Sequence, residues 1–465
     1  MRLVAGSLLT AALAAVPLAN DSVDNFVLAQ LRVRNIPGVS VAVVKDGRLV
    51  KAAGYGIANL ELQAPATAQT VYELGSISKQ FAADAVLLLA EDGALSLDDL
   101  LSKYIPGTPS AWSDITIRHV LTHTAGFADF DTGNIGFSYR REYTAQEFVD
   151  LLAKQPLQFA PGERWNYTNA FPLLSIVVEK ASGQAYMNFV ARRIFAPLKL
   201  TSARFKMNGD VVANRADGYL FADGSFRHGE SLRPAIIAAN GGVMMSAVDF
   251  ARWDIAITQG ELLRKPSLDA ITTPVRLTNG RTVSHGLGWF MDRFNGQRFG
   301  AHWGTTVTGH SGVIRRYTDE RVTVIVLGNV DDGGQAVDAM SKRIADIYVP
   351  GVAIQGLKAT TDPRPSETAR LKKALEDVSA GTETEAAPGL ARRLPAPVRE
   401  RIATALRANK PLEYLGEENV DDSHFNLDPA LATNRWYRTV TPAGARFLTL
   451  RLSATGTLLG ALIED

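Results

Sequence analysis

The chain contains no cysteine. Disulfides, thiolate nucleophiles, cysteine-ligated zinc and lipid attachment through a cysteine are excluded together. It also has no excess of charge of either sign, with 49 Lys and Arg against 48 Asp and Glu. No basic field is available for a phosphate backbone, so no nucleic-acid partner is expected. Beyond residue 19 no apolar run reaches the ~18 residues of a membrane span. The seven histidines are scattered and no H-E-x-x-H occurs, which leaves a metal site without a motif. Gly54-Tyr55-Gly56 lacks the rest of a dinucleotide fingerprint. No cofactor is expected.

The 465 residues are 46% hydrophobic and 21% charged, an ordinary globular composition. At roughly 150 residues per domain the length implies more than one folding unit. In residues 1–19 Arg2 is the only charge, followed by an Ala- and Leu-rich stretch. This is the pattern of a secretory signal, with cleavage after Ala14 or Ala19, and it predicts export to the periplasm or the medium.

Val39–Val44, then Lys45-Asp46-Gly47-Arg48, then Leu49–Gly54 reads as a β-hairpin around an Asp-Gly turn. Helical patterns dominate from Ser76 to about residue 200, including 145–154 and 171–182, and Thr323–Leu327 is a short apolar strand. Strands at both ends with helices between predict an α+β fold, one antiparallel sheet closed by both termini, with flanking helices and an all-helical lobe. The polar, proline-rich stretch Thr360–Pro365 reads as a linker. After it come two helices (367–380, 398–408) and strands at 436–440, 446–452 and 458–463, a small α+β domain without a chemical motif. The expected division is a signal peptide at 1–19, a main domain at 20–350, a linker at 351–365 and an accessory domain, for packing or oligomerisation, at 366–465.

One local pattern carries chemistry. In Gly75-Ser76-Ile77-Ser78-Lys79 a serine and a lysine stand one helical turn apart, ahead of the apolar run Phe81–Leu89. The amine can take the hydroxyl proton, and free N–H groups at the helix start can hold an oxyanion, the requirements of covalent acyl transfer. Tyr167-Thr168-Asn169 follows a Pro161-Gly162 turn. A cationic Lys79 beside Tyr167 would favour the phenolate, and the Asn169 amide can face substrate and Lys79. A third element should be a strand edge with a polar or cationic side chain next to glycine. His302-Trp303-Gly304, Trp303-Gly304-Thr305 and His310-Ser311-Gly312 are the choices.

Taken in order, these motifs resemble the serine β-lactamase and penicillin-binding-protein superfamily, in its class C β-lactamase, D-alanyl-D-alanine carboxypeptidase and esterase branch (peptidase family S12). The resemblance spans about residues 25–350. It includes Ile115–Gly126, Asn240-Gly241-Gly242, Gly286-Leu287-Gly288-Trp289 and Val326-Leu327-Gly328-Asn329. It implies that Ser76 is the nucleophile, that Lys79 and Tyr167 share acid–base work, and that Asn169 orients substrate. In the His302 register, the favoured one, His302 and Gly304 line the cleft and the Thr305 N–H joins that of Ser76 in the oxyanion hole. A cation at His302 would bind a substrate carboxylate. The implied activity is hydrolysis of small-molecule or peptide substrates (esters, D-amino-acid peptides or β-lactam-like amides) through an acyl-enzyme. The rival is a non-catalytic relative that binds cell-wall peptides or a protein.

Overall fold

A computed structural model describes residues 21–130, 135–207, 209–229, 235–407 and 410–464. The expected signal peptide lies outside the described residues. The chain is α+β, built on a seven-stranded antiparallel sheet. Its strands lie in the order Phe290–Phe294, Gln297–Thr306, His310–Tyr317, Val322–Gly328, Gly38–Lys45, Arg48–Asn59 and Ala64–Pro65. The early strand Gly38–Lys45 thus pairs in the middle of the sheet with the late strand Val322–Gly328, Val39 opposite Gly328 and Lys45 opposite Val322. Both read as continuous apolar runs because both faces of the sheet are covered.

On one face lies a helix whose cap is legible in the sequence. Asp21 accepts from the N–H groups of Val23 and Asp24 and starts Ser22–Val33, which turns Val23, Val27 and Leu31 inward. Gln335–Tyr348 packs beside it, and Val39, Val41, Val43, Val324 and Val326 meet Met340 and Ile344 in one apolar layer. On the other face lies the helix Ser78–Glu91, buried from Ser78 through Leu89. That explains its mostly apolar run from Phe81 to Leu89, since a helix wrapped on all sides needs no polar stripe; the one ionisable side chain in that run, Asp84, accepts from Trp253 Nε1 at 2.9 Å. Helices Ala145–Ala153, Pro172–Ser182 and Ala247–Gln259 surround it and complete the larger core.

Past residue 350, helices Pro365–Ser379 and Ala396–Arg407 pack on a four-stranded antiparallel sheet, Glu413–Asn419, Leu431–Thr441, Gly444–Ser453 and Leu458–Glu464. Leu371, Leu375, Tyr437 and Leu448 form a separate apolar cluster there. The strand Glu413–Asn419 is absent from the sequence expectation. It is an edge strand, rich in Glu and broken by a bulge near Gly416, so it lacks apolar alternation. This C-terminal part packs against the main sheet through Ile354, Leu415, Trp436 and Phe447, with the Phe294 and Trp436 rings 4.6 Å apart. Among the described residues no helix is long and apolar enough to cross a membrane.

Candidate active site

Ser76 sits on a 3₁₀ turn, Gly75–Ile77, that runs straight into the helix Ser78–Glu91. Lys79, buried in the first turn of that helix, points its ammonium at three acceptors. Nζ lies 2.9 Å from Ser76 Oγ, 3.0 Å from Asn169 Oδ1 and 3.4 Å from the Asn240 carbonyl. The same Nζ stands 4.9 Å above the centre of the Tyr167 ring, and the Ser76 hydroxyl is near enough to that of Tyr167 to act on its pKa.

The strand Gln297–Thr306 closes the other side. At Gly304 a Cβ would fall 1.9 Å from the Leu74 carbonyl oxygen and 3.1 Å from the Ser76 nitrogen. Gly75, at φ 53°, would place a Cβ 2.8 Å from the Thr305 nitrogen. Two glycines facing each other let two backbones touch where side chains would hold them apart. The Thr305 backbone therefore lies against the Gly75–Ile77 turn.

Alternation along this strand sorts the three candidate registers. His302 is buried on the face of Lys79, its ring 6.3 Å from that of Tyr167. Trp303 points to the opposite face, where its Nε1–H donates to Asp338 at 2.7 Å. His310 lies in a different pocket, edge-on to Tyr72 at 6.2 Å with its Nε2 3.3 Å from the Ala216 carbonyl. Of the three motifs, the His302 one faces Lys79 and Tyr167.

The Beta-lactamase family model matches residues 23–348. The chain belongs to the β-lactamase family. It is 30% identical over 332 residues to penicillin-binding protein 4* of Bacillus subtilis, covering 66% of this chain and 71% of that one. It is 29% identical to protein flp of Staphylococcus aureus over 210 residues, 43% of this chain and 42% of that one. Among solved structures, the octameric penicillin-binding protein homologue of Pyrococcus abyssi superposes with a TM-score of 0.61 at 20% identity, over 95% of this chain and 94% of that one. A D-amino acid amidase of Ochrobactrum anthropi shares the fold at TM-score 0.61 and 22% identity, over 70% of this chain and 100% of the amidase. The family is one of serine hydrolase-type enzymes.

Within this β-lactamase-family cleft two electrostatic expectations change. Lys79 lies over the Tyr167 ring, its Nζ 4.9 Å from the ring centre. Burial raises the Tyr167 pKa well above that of a free phenol, and the Ser76 hydroxyl only partly offsets this. The resting hydroxyl is thus protonated, not a phenolate. His302 is likewise neutral: burial, with the Lys79 charge adding to it, lowers its pKa to about 3. Its Nδ1 is 2.7 Å from the Trp303 carbonyl, which can only accept, so Nδ1 carries the hydrogen and Nε2 keeps a lone pair. His302 offers an acceptor, not the cation that would bind a carboxylate.

Sequence reasoning missed several neighbours. Both oxygens of Asp129 accept from Asn169 Nδ2, at 3.2 and 3.3 Å, which turns Asn169 Oδ1 toward Lys79. The Asn240 carbonyl reaches Lys79 from a segment recognised only as a glycine motif. His123 lies against Tyr167 with ring centres 4.5 Å apart, and its Nδ1 accepts from the Thr168 N–H. His123 falls in the quoted run Ile115–Gly126, so that run held a signal, but nothing in it points toward Tyr167.

Proposed function

We propose that this chain is an exported hydrolase that forms an acyl-enzyme on Ser76, with neutral esters or amides as substrates. The catalytic unit spans residues 20–350, and residues 366–465 form an accessory domain. The observation that carries this reading is the contact of Lys79 Nζ with Ser76 Oγ at 2.9 Å, with Tyr167 beside the same hydroxyl. A structural serine has no need of two titratable neighbours on one oxygen.

In this reading Ser76 Oγ attacks the carbonyl carbon as Lys79, in its neutral form, takes the hydroxyl proton. The N–H groups of Ser76 and Thr305 hold the oxyanion. Protonated Tyr167 is the group poised to give a proton to the departing alcohol or amine. Water then attacks the acyl-enzyme, and the same two side chains run the proton transfers in reverse. Asn169, fixed by Asp129, keeps Lys79 aimed at Ser76.

The neutral His302 favours substrates with an N–H or O–H donor at that position over those with a free carboxylate. The amidase with the same fold acts on D-amino acid amides by its name, and the Bacillus relative is a penicillin-binding protein by its name. Both make amides, D-amino-acid peptides and β-lactams fair substrates to try beside simple esters. Ser76→Ala is expected to lower p-nitrophenyl ester turnover by at least 10³-fold and to abolish the mass increase with a fluorophosphonate. Labelling that persists in Ser76→Ala would place the nucleophile elsewhere. A mass increase with penicillin would add β-lactams to the substrate class.

A further inference from the structure

The family match ends at residue 348, but the aromatic surface beside Tyr167 continues past it. Tyr167 stacks on Phe290, ring centres 5.9 Å apart at 25°. Phe290 is also 5.5 Å from the His302 ring, so it touches two members of the cluster around Ser76. Its outer edge meets Phe425, from the C-terminal part, at 5.1 Å and 78°. Phe425 meets Trp165 at 5.1 Å and 76°, and Trp165 meets Phe290 at 6.0 Å. Trp165, Phe290 and Phe425 therefore form a closed triangle of rings that meets Tyr167 through Phe290, and all three remain partly exposed.

The loop that brings Phe425 there is fixed at both ends of the approach. Its N–H donates to Asp292 Oδ1 at 3.1 Å, and the Ser423 carbonyl accepts from Ser284 Oγ at 3.2 Å. Upstream, Glu418 accepts from the N–H groups of Asn295 and Gly296, at 2.9 and 2.8 Å, in the turn before the Gln297–Thr306 strand. A rigid, half-open aromatic surface beside a nucleophile is suited to take up an apolar part of a ligand.

We propose that Phe425 is a specificity-determining residue of this active site, completing with Trp165 and Phe290 an aromatic subsite for a phenyl-sized apolar group of the substrate. The proposal rests on the Ser76 hydrolase reading and makes the C-terminal part a contributor to selectivity. Losing one edge-to-face partner together with its apolar contact should cost about tenfold in selectivity.

The test compares p-nitrophenyl phenylacetate with p-nitrophenyl acetate, which share a leaving group and differ in the acyl ring. In the full-length protein, Phe425→Ala should lower the ratio of kcat/KM for the phenylacetyl over the acetyl ester about tenfold, mainly through KM, and Phe425→Tyr should restore it. An unchanged ratio, or equal losses on both esters, would overturn the proposal, because Phe425 would then act through packing alone. Fluorophosphonate labelling of Ser76 is followed in parallel. Its absence in the parent protein would overturn the hydrolase reading and this proposal with it. Intact labelling with an unchanged ratio would overturn this proposal alone.

Discussion

Three imidazoles, His123, His285 and His302, are fully buried around Tyr167, with the first two rings 5.1 Å apart. Burial is the main cause of a lowered pKa for each, to about 3 for His285 and His302, with the neighbouring charges adding to it for His123 and His302. All three are neutral in the fold and take up protons once the chain unfolds below pH 6.5. Their contribution to stability is present above that pH and is lost as pH falls toward 3. Each proton gained on unfolding steepens the dependence by about 1.4 kcal/mol per pH unit. Urea unfolding followed from pH 6 to pH 4 should therefore show a falling stability, and His285→Asn should flatten the slope by about one such proton. An equal slope in the variant would mean that His285 is protonated in the folded chain. The same neutrality means that pH–activity profiles should lack a limb from His302 across the neutral range.

At the scale of elements, the site is a meeting of one helix start and one strand edge, and its tolerance is set by Gly304. A methyl group there would lie 1.9 Å from the Leu74 carbonyl, and backbone on both sides cannot step aside as a flexible side chain would. Gly304→Ala is expected to destabilise by about 1–3 kcal/mol, as overpacking does, and to cost more in kcat than in KM because it displaces the Thr305 N–H. Chemical denaturation and steady-state kinetics check the two parts, and a variant with wild-type kcat would remove Thr305 from the oxyanion hole. The helix and its Ser76–Lys79 pair were legible because spacing along one helix is a local property. The hairpin at Asp46-Gly47 was legible for the same reason, and its strands extend to Gly38–Lys45 and Arg48–Asn59 because the sheet pairs them further than local propensity does. Asp129, the Asn240 carbonyl and Phe425 were not legible, since each reaches the site through tertiary contact from a segment with no pattern of its own. The upward shift of the Tyr167 pKa and the downward shift of the His302 pKa were not legible either, because burial is a property of the assembled core. In the sequence Lys79 counts as a charge near Tyr167, and only the coordinates put it over the ring.

For the whole molecule, the junction between the main sheet and the C-terminal sheet contains a titratable clamp. His424 lies between Glu418, 3.5 Å from Nε2, and Asp421, 3.0 Å from Nδ1. Burial lowers its pKa, but the two neighbouring carboxylates outweigh that and the net shift is upward. The clamp is therefore complete below pH 6.5 and is lost as pH rises through the elevated value. Calorimetry from pH 6.5 to pH 9 should show a decreasing Tm that is weaker in His424→Gln, and parallel curves would exclude the clamp. The centre of the main sheet imposes a different condition, one of time. Gly38 donates to Asn329 Oδ1 at 2.8 Å across a sequence separation of 291 residues. At the pace of translation, the first partner waits on the order of tens of seconds for the second. Until the late strands are made, the Gly75–Ile77 turn has no Thr305 backbone against it. On the Ser76 hydrolase reading proposed above, a nascent chain therefore carries an unreactive serine until the sheet closes.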